Sequence, residues 1–223
     1  MKGANDMINS NQRKLALSGW LSQANQAAYN IPLKLQKFLF LYEVFSKVDN
    51  DSVDFSYLKG YQRGPVFSNV WGDYTKERVD FDARARESYI NNPNLINSNR
   101  ARQCAFLVSI LSEVELSSIT HEMNIWGSKK EQIDEGRRQV ALRESDFNEN
   151  DANIVKALQE MYPLEFITQY SVYPVGVYNF LIRKKDLEKM TNRHYDTLYS
   201  LASTPGLHNP VFVKIDEGRL VID

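Results

Sequence analysis

Leu15, Trp20, Leu21, Ala24 and Ala28 fall at helical spacing, which predicts an amphipathic first helix over 11–28 with Ser10 or Asn11 as its N-cap. Pro32 suits the first turn of a second helix, in which Leu35, Phe38, Leu39, Tyr42 and Phe45 form one strongly apolar face until Asp49-Asn50-Asp51 ends it. That face is expected at the centre of the core. From Val53 to Tyr61 the period changes to alternation through Val53, Phe55, Tyr57 and Lys59, which predicts a strand or hairpin arm. Gly64-Pro65 breaks it, and Pro65 is placed to start a helix with Val66, Val70 and Tyr74 on its inner face and Trp71 beside them.

Further on, 80–90 reads as a short helix, 91–99 as a loop around Pro93, and 101–114 as a helix that turns Phe106, Leu107, Ile110 and Leu111 inward. Leu116 to Trp126 reads as another short helix. Residues 127–149 are highly charged and carry few large apolar side chains, so an exposed arm around Ile133 and Val140, or a partly mobile one, is expected there. Asn150 or Asp151 is placed to cap a helix through Tyr162. Beyond Pro163 the character shifts, with β-branched and aromatic residues over 172–182, a helical stretch over 185–202, and alternation over 211–222 about a Glu217-Gly218 turn. The expected fold class is therefore mainly α with a small β component (α+β), organised as a helical domain over 1–162 and an α+β extension over 163–223.

Composition narrows the function classes. Lysine plus arginine (27) nearly balance aspartate plus glutamate (28), so no bulk positive field draws the chain to phosphate backbones, and DNA is disfavoured as a partner. Apolar runs such as Phe38 to Tyr42 are far shorter than the ~20 residues a membrane helix needs. The polar stretch Met1 to Asn11 lacks the apolar core of a secretory signal, so no membrane association and a cytoplasmic location are expected. The single cysteine, Cys104, lies in an apolar stretch and reads as a small packed hydrophobe.

Catalytic motifs are missing. His121-Glu122 starts like a zinc-protease pair, but position 125 is isoleucine, and His194 and His208 have no cysteine or carboxylate frame. No metal or cofactor is therefore expected, and His121 reads as a structural histidine at a helix end near Trp126. Ser18, Ser68 and Ser117 sit in no Gly-x-Ser-x-Gly elbow, and the pairs Asp80/Asp82 and Glu113/Glu115 are spaced to fall on different sides of a helix. An enzyme is not expected. Gly64-Pro65-Val66 admits two readings, a turn that redirects the chain, which is favoured, and a helix start that binds an anion with help from Arg63. The aromatic cluster of Tyr57, Tyr61, Phe67, Trp71 and Tyr74 is equally compatible with core and with interface.

Three blocks stand out by order and spacing: Lys34-Leu35-Gln36-Lys37 opening an apolar helix; Tyr61-Gln62-Arg63-Gly64-Pro65-Val66, followed by Val70 and Trp71; and Leu116-Ser117-Ser118-Ile119-Thr120-His121, closing on Trp126. Together they resemble the Panacea domain, the SocA-like antitoxin family of bacterial and phage toxin–antitoxin pairs. The resemblance spans 31–126 and extends to 162 by continuation of the helices. It marks Lys34, Gln36, Lys37, Tyr61, Arg63, Gly64, Pro65, Val66, Trp71, Thr120, His121 and Trp126 as motif and candidate partner-binding positions. It implies an antitoxin that binds and neutralises a cognate toxin of a bacterial or prophage module. One antitoxin of that family also delivers its toxin to a AAA+ protease, which adds such a protease to the implied partners.

The turn and its aromatic helix are then expected to be shared framework, and the arm at 127–149 and the tail to supply the toxin contact. The rival reading is a phage-encoded regulator or anti-defence protein that binds a host protein, or DNA through a basic surface of Arg84, Arg86, Arg100 and Arg102.

Overall fold

The computed structural model describes residues 8–204 and 206–222. Part of the polar stretch at the N-terminus, residues 1–7, lies outside the described residues. Helices α1 (Gln12–Ala24), α2 (Gln26–Tyr29) and α3 (Pro32–Val48) lead into strands β1 (Leu58–Tyr61) and β2 (Gly64–Phe67). Helices α4 (Ser68–Lys76), α5 (Arg78–Asn91), α6 (Ser98–Ile110), α7 (Glu113–Glu122), α8 (Asn124–Gly127) and α9 (Lys130–Asp134) follow, then strand β3 (Val140–Ala141) and helices α10 (Glu149–Met161) and α11 (Leu164–Gln169). The chain ends with β4 (Tyr170–Val175), β5 (Tyr178–Arg183), α12 (Lys184–Leu187), α13 (Asn192–Ala202), β6 (Val211–Asp216) and β7 (Arg219–Ile222). With 60% helix and 15% strand in two small sheets, the fold is mainly α with a small β component. No described helix is long and apolar enough to cross a membrane.

Helix α3 is the axis of the core. Pro32 occupies its first turn, and an unbroken run from Leu35 to Ser46 is buried, so the helix is enclosed on all sides rather than on one stripe. Burial on every side leaves Glu43 with no exposed surface, and the fold satisfies it with charge. Arg13 Nε donates to Glu43 Oε1 at 2.9 Å, the buried Lys14 ammonium bonds the same oxygen, and the Asp54 N–H donates to Oε2 at 2.9 Å. Burial outweighs these partners in lowering the Lys14 pKa.

The two sheets differ in character. The first has the order β2-β1-β3, and the second runs β4-β5-β6-β7, with β5 and β6 parallel and the other neighbours antiparallel. The second sheet has a small core of its own, including Phe180, Ile182, Leu198 and Val211. Leu181, from the other face of β5, joins the main core, against which Phe166, Tyr170 and Phe212 also pack. At the Glu217-Gly218 turn both residues are left-handed (φ 45° and 74°), which suits a two-residue hairpin whose twist follows that of its strands.

Four local expectations are corrected. The alternation from Val53 produces a strand only from Leu58, because Tyr57 adopts φ 60° and breaks the extended run. Pro65 does not start a helix. It lies in β2 opposite Gly60, on the edge strand of its sheet where the missing N–H costs no ladder bond, and α4 begins at Ser68. The helix over 101–114 is two helices, since Ser112 caps α7 by accepting from the Glu115 N–H while the Glu115 carboxylate accepts from the Ser112 N–H. Helix α10 is capped by Asn148 rather than by Asn150 or Asp151, and Asp151 is its third residue.

The charged arm is largely exposed, as expected, but it is pinned to the fold at a few buried apolar positions. Ile133 and Val140 are buried, and β3 pairs with β1 through Gly60↔Val140. Asp151 ties the arm's entry to α10, accepting the Ile125 N–H at 3.1 Å, the Asn124 N–H and the Asn148 N–H. Cys104 is buried, and burial pushes its thiol well above the usual range.

Candidate functional site: the β1–β2 hairpin and its pocket

The three sequence blocks converge on one small hairpin. Strands β1 and β2 are joined by Gln62 and Arg63, with Tyr61 paired to Gly64. From α3, Gln36 Oε1 accepts the Phe67 N–H at 2.8 Å, which satisfies a backbone donor of the edge strand within the core. Lys37 Nζ donates to Thr120 Oγ1 at 2.7 Å, and that hydroxyl lies 3.0 Å from the Leu116 carbonyl one turn back in α7. From α8, Trp126 Nε1 donates to the Tyr61 carbonyl at 2.9 Å. Ser117 Oγ donates to the Arg63 carbonyl at 3.2 Å. Helices α3, α7 and α8 thus grip the hairpin from segments far apart in sequence.

Gly64 is where this grip is tightest. Its φ is +104°, and a Cβ there would lie 2.0 Å from Lys37 Nζ and 2.6 Å from Thr120 Oγ1. The lysine amine therefore fills the space that a side chain would take. It is buried, it donates to a neutral hydroxyl, and no ion pair with it is found among the described residues. Burial, with the Arg63 charge adding, pushes its pKa down to about 7. His121, the next residue after Thr120, stacks on Trp126 with ring centroids 3.9 Å apart. Burial and the Lys37 charge lower its pKa, and its Nε2 has no hydrogen-bond partner among the described residues. Lys34 lies at the margin of this group, with its pKa lowered by burial against the pull of Glu113 and Glu115.

The aromatic cluster divides between the two readings. Phe67 and Tyr74 are core residues at 0% and 4% exposure, whereas Trp71 and Tyr57 are exposed at 39% and 59%. Trp71, Val66 and Arg63 form a ridge between two hollows. The smaller, about 190 Å³, is walled by Pro32, Leu33 and Pro65 and includes Lys37 and Glu113. The larger, about 480 Å³, is bounded by Tyr61 and Gln62 of the hairpin, by Gly60 and Ile133, and by Gly136, Arg137, Arg138 and Gln139 of the arm. The turn and the charged arm, far apart in sequence, meet here. Sequence carried a signal for this meeting in the isolated Ile133 and Val140, whose burial fastens the arm to the sheet.

Other expected sites differ in the fold. With Pro65 in a strand, no helix starts there to bind an anion. Arg100 is 3% exposed and pairs with Asp49 at 2.8 Å and Asp51 at 3.1 Å, so it cannot join Arg84, Arg86 and Arg102 in a basic surface. Arg84 lies 3.7 Å from Glu87 on α5. Asp82 bonds Arg78 and the Tyr29 hydroxyl, Glu113 pairs with Arg63 at 3.2 Å, and Glu115 belongs to the α7 cap. Among the described residues, no three of His, Cys, Asp and Glu are grouped to hold a metal ion.

Comparison of the chain with protein-family models, with curated proteins and with solved structures gives no match.

Proposed function

We propose that this chain works by stoichiometric binding of a protein partner, as the antitoxin of a bacterial or prophage toxin–antitoxin pair, with the hairpin face as the contact. The observation that carries the binding reading is the exposed Trp71 ridge between two hollows, flanked by Arg63. Tryptophan and arginine beside concave apolar surface are the residue types that dominate binding energy at protein interfaces. The antitoxin assignment rests on the order of the three motif blocks, and their convergence on one hairpin supports reading them as a single unit. Delivery of the bound toxin to a AAA+ protease belongs to the same proposal.

The test is co-expression with the product of the adjacent gene. Suppression of that product's toxicity by the wild-type chain, together with recovery of a complex, is the expected result. Trp71→Ala and Arg63→Glu should each weaken both. Absence of a complex and of growth rescue would reject the reading. A host protein recovered in place of a toxic neighbour would favour the regulator reading instead.

A further inference from the structure

The larger hollow has a chemistry more specific than a protein-docking ridge. Arg63, Arg137 and Arg138 line it, and among the described residues no aspartate or glutamate does, although the chain as a whole carries a net charge of −1. Arg63 and Arg137 have acidic neighbours outside the hollow, Glu113 at 3.2 Å and Glu135 at 3.5 Å, with every partner in these pairs well exposed to water. Such pairs hold weakly and exchange readily for a better anion. Arg138 has no ion-pair partner among the described residues. Guanidinium groups favour multidentate oxyanions, and phosphate above all.

The hollow also offers stacking surfaces. Tyr61 and the exposed Trp71 line it beside the arginines, so planar rings and cations face the same volume. Its floor is rigid. Gly60 lies so close to Ile133 that a Cβ would approach Cδ1 to 2.6 Å, and β3 pairs onto the same strand. Gly136 and Gln139, both left-handed (φ 83° and 55°), bend the chain around Arg137 and Arg138. A volume of about 480 Å³ falls within the range of small-molecule sites.

We propose that this hollow binds a nucleoside 5′-phosphate, with the base against Trp71 or Tyr61 and the phosphate on Arg137, Arg138 and Arg63. The same chemistry is presented by a free nucleotide and by the 5′-phosphorylated end of a single strand. This site does not depend on the antitoxin reading. It shares Trp71 and Arg63 with the proposed partner face, so a bound nucleotide would compete with or reshape that contact.

The experiment is calorimetric titration of the purified full chain with ADP, with adenosine and inorganic pyrophosphate as half-ligands and a 5′-phosphorylated trinucleotide as the strand end. The expected result is saturable ADP binding, at least ten-fold tighter than that of either half-ligand. Binding should weaken ten-fold or more in Trp71→Ala and in the exposed double variant Arg137→Ala/Arg138→Ala, and stay unchanged in Arg84→Ala on α5. Tighter binding of the trinucleotide than of ADP would support the site and identify a strand end as its source, whereas equal or weaker binding would support it and identify the free nucleotide. No saturable ADP binding at millimolar concentration, pyrophosphate binding as tightly as ADP, or full ADP affinity in the double arginine variant would each overturn the proposal.

Discussion

Lys37 Nζ occupies the place where Gly64 would carry a Cβ, 2.0 Å from that position, and Thr120 Oγ1, 2.7 Å from the amine, holds it there. Helix, strand and second helix meet at this contact with no room for one further carbon. The neighbouring motif residues Gln36 and Trp126 bond the same hairpin, and the tolerance of each position follows from that geometry.

Gly64→Ala should destabilise the fold strongly. The substitution combines a left-handed backbone with overpacking against Lys37 and Thr120, each worth about 1–3 kcal/mol. A thermal melt should show a loss of roughly 4–24 °C, at about 2–4 °C per kcal/mol for a chain of this size. Gly136→Ala is the control. Its φ is also positive (+83°), but nothing lies within 4 Å of the added carbon, so only the backbone cost remains.

Stability should depend on pH through Lys37. The amine has a pKa of about 7 in the folded chain and an ordinary value of 10.5. Between these values the unfolded chain binds more protons, so stability rises with pH across this window and levels off on either side of it. The slope from this one group approaches about 1.4 kcal/mol per pH unit. Lys37→Met should remove it and raise stability at neutral pH, which urea unfolding of both proteins at neutral pH and at about pH 9 would show. An unchanged slope in the variant would refute the assignment. Lys14, also lowered by burial, adds a dependence of the same sign in both proteins, so the difference isolates Lys37.

Glu43→Ala should cost about 3–5 kcal/mol in a denaturant titration, because it leaves the buried Lys14 ammonium with only Asp54 beside it and frees Arg13 and the Asp54 N–H. Lys14→Met/Glu43→Leu should lie closer to the wild type than Glu43→Ala does. A double-mutant cycle gives the coupling, and additive losses would show that the pair does not act as a unit.

Cys104 should resist alkylation. It is fully buried, and its thiol is held protonated well above the usual range. Iodoacetamide labelling followed by mass spectrometry should find it unmodified in the native chain and labelled at once in urea. Rapid native labelling would show that α6 opens from the core.

Much of the helical frame was legible from period and punctuation. Pro32 and the apolar face behind it located α3 to within a residue, and Glu217-Gly218 located the last hairpin. Pro65 misled because a proline after glycine suits a helix start and an edge strand equally, and only the pairing with Gly60 and the tie from Gln36 to Phe67 decide between them. Both depend on contacts across 31 residues or on a partner strand, which local pattern does not encode. The break at Leu111-Ser112 is different, since Ser112 and Glu115 spell a capping box that was available to be read. The convergence of the three blocks was visible only as order and spacing. Which hydroxyl meets which amine, and that the charged arm closes the same hollow, followed only from the assembled fold.

The hairpin also has a place in the order of synthesis. Its strands leave the ribosome long before Thr120 and Trp126, so during translation the Lys37 amine is exposed without its acceptor and the Tyr61 carbonyl without its donor. A nascent chain halted short of α7 holds an unclasped hairpin beside an unfinished core, a state in which chaperones or proteases would find the polypeptide open.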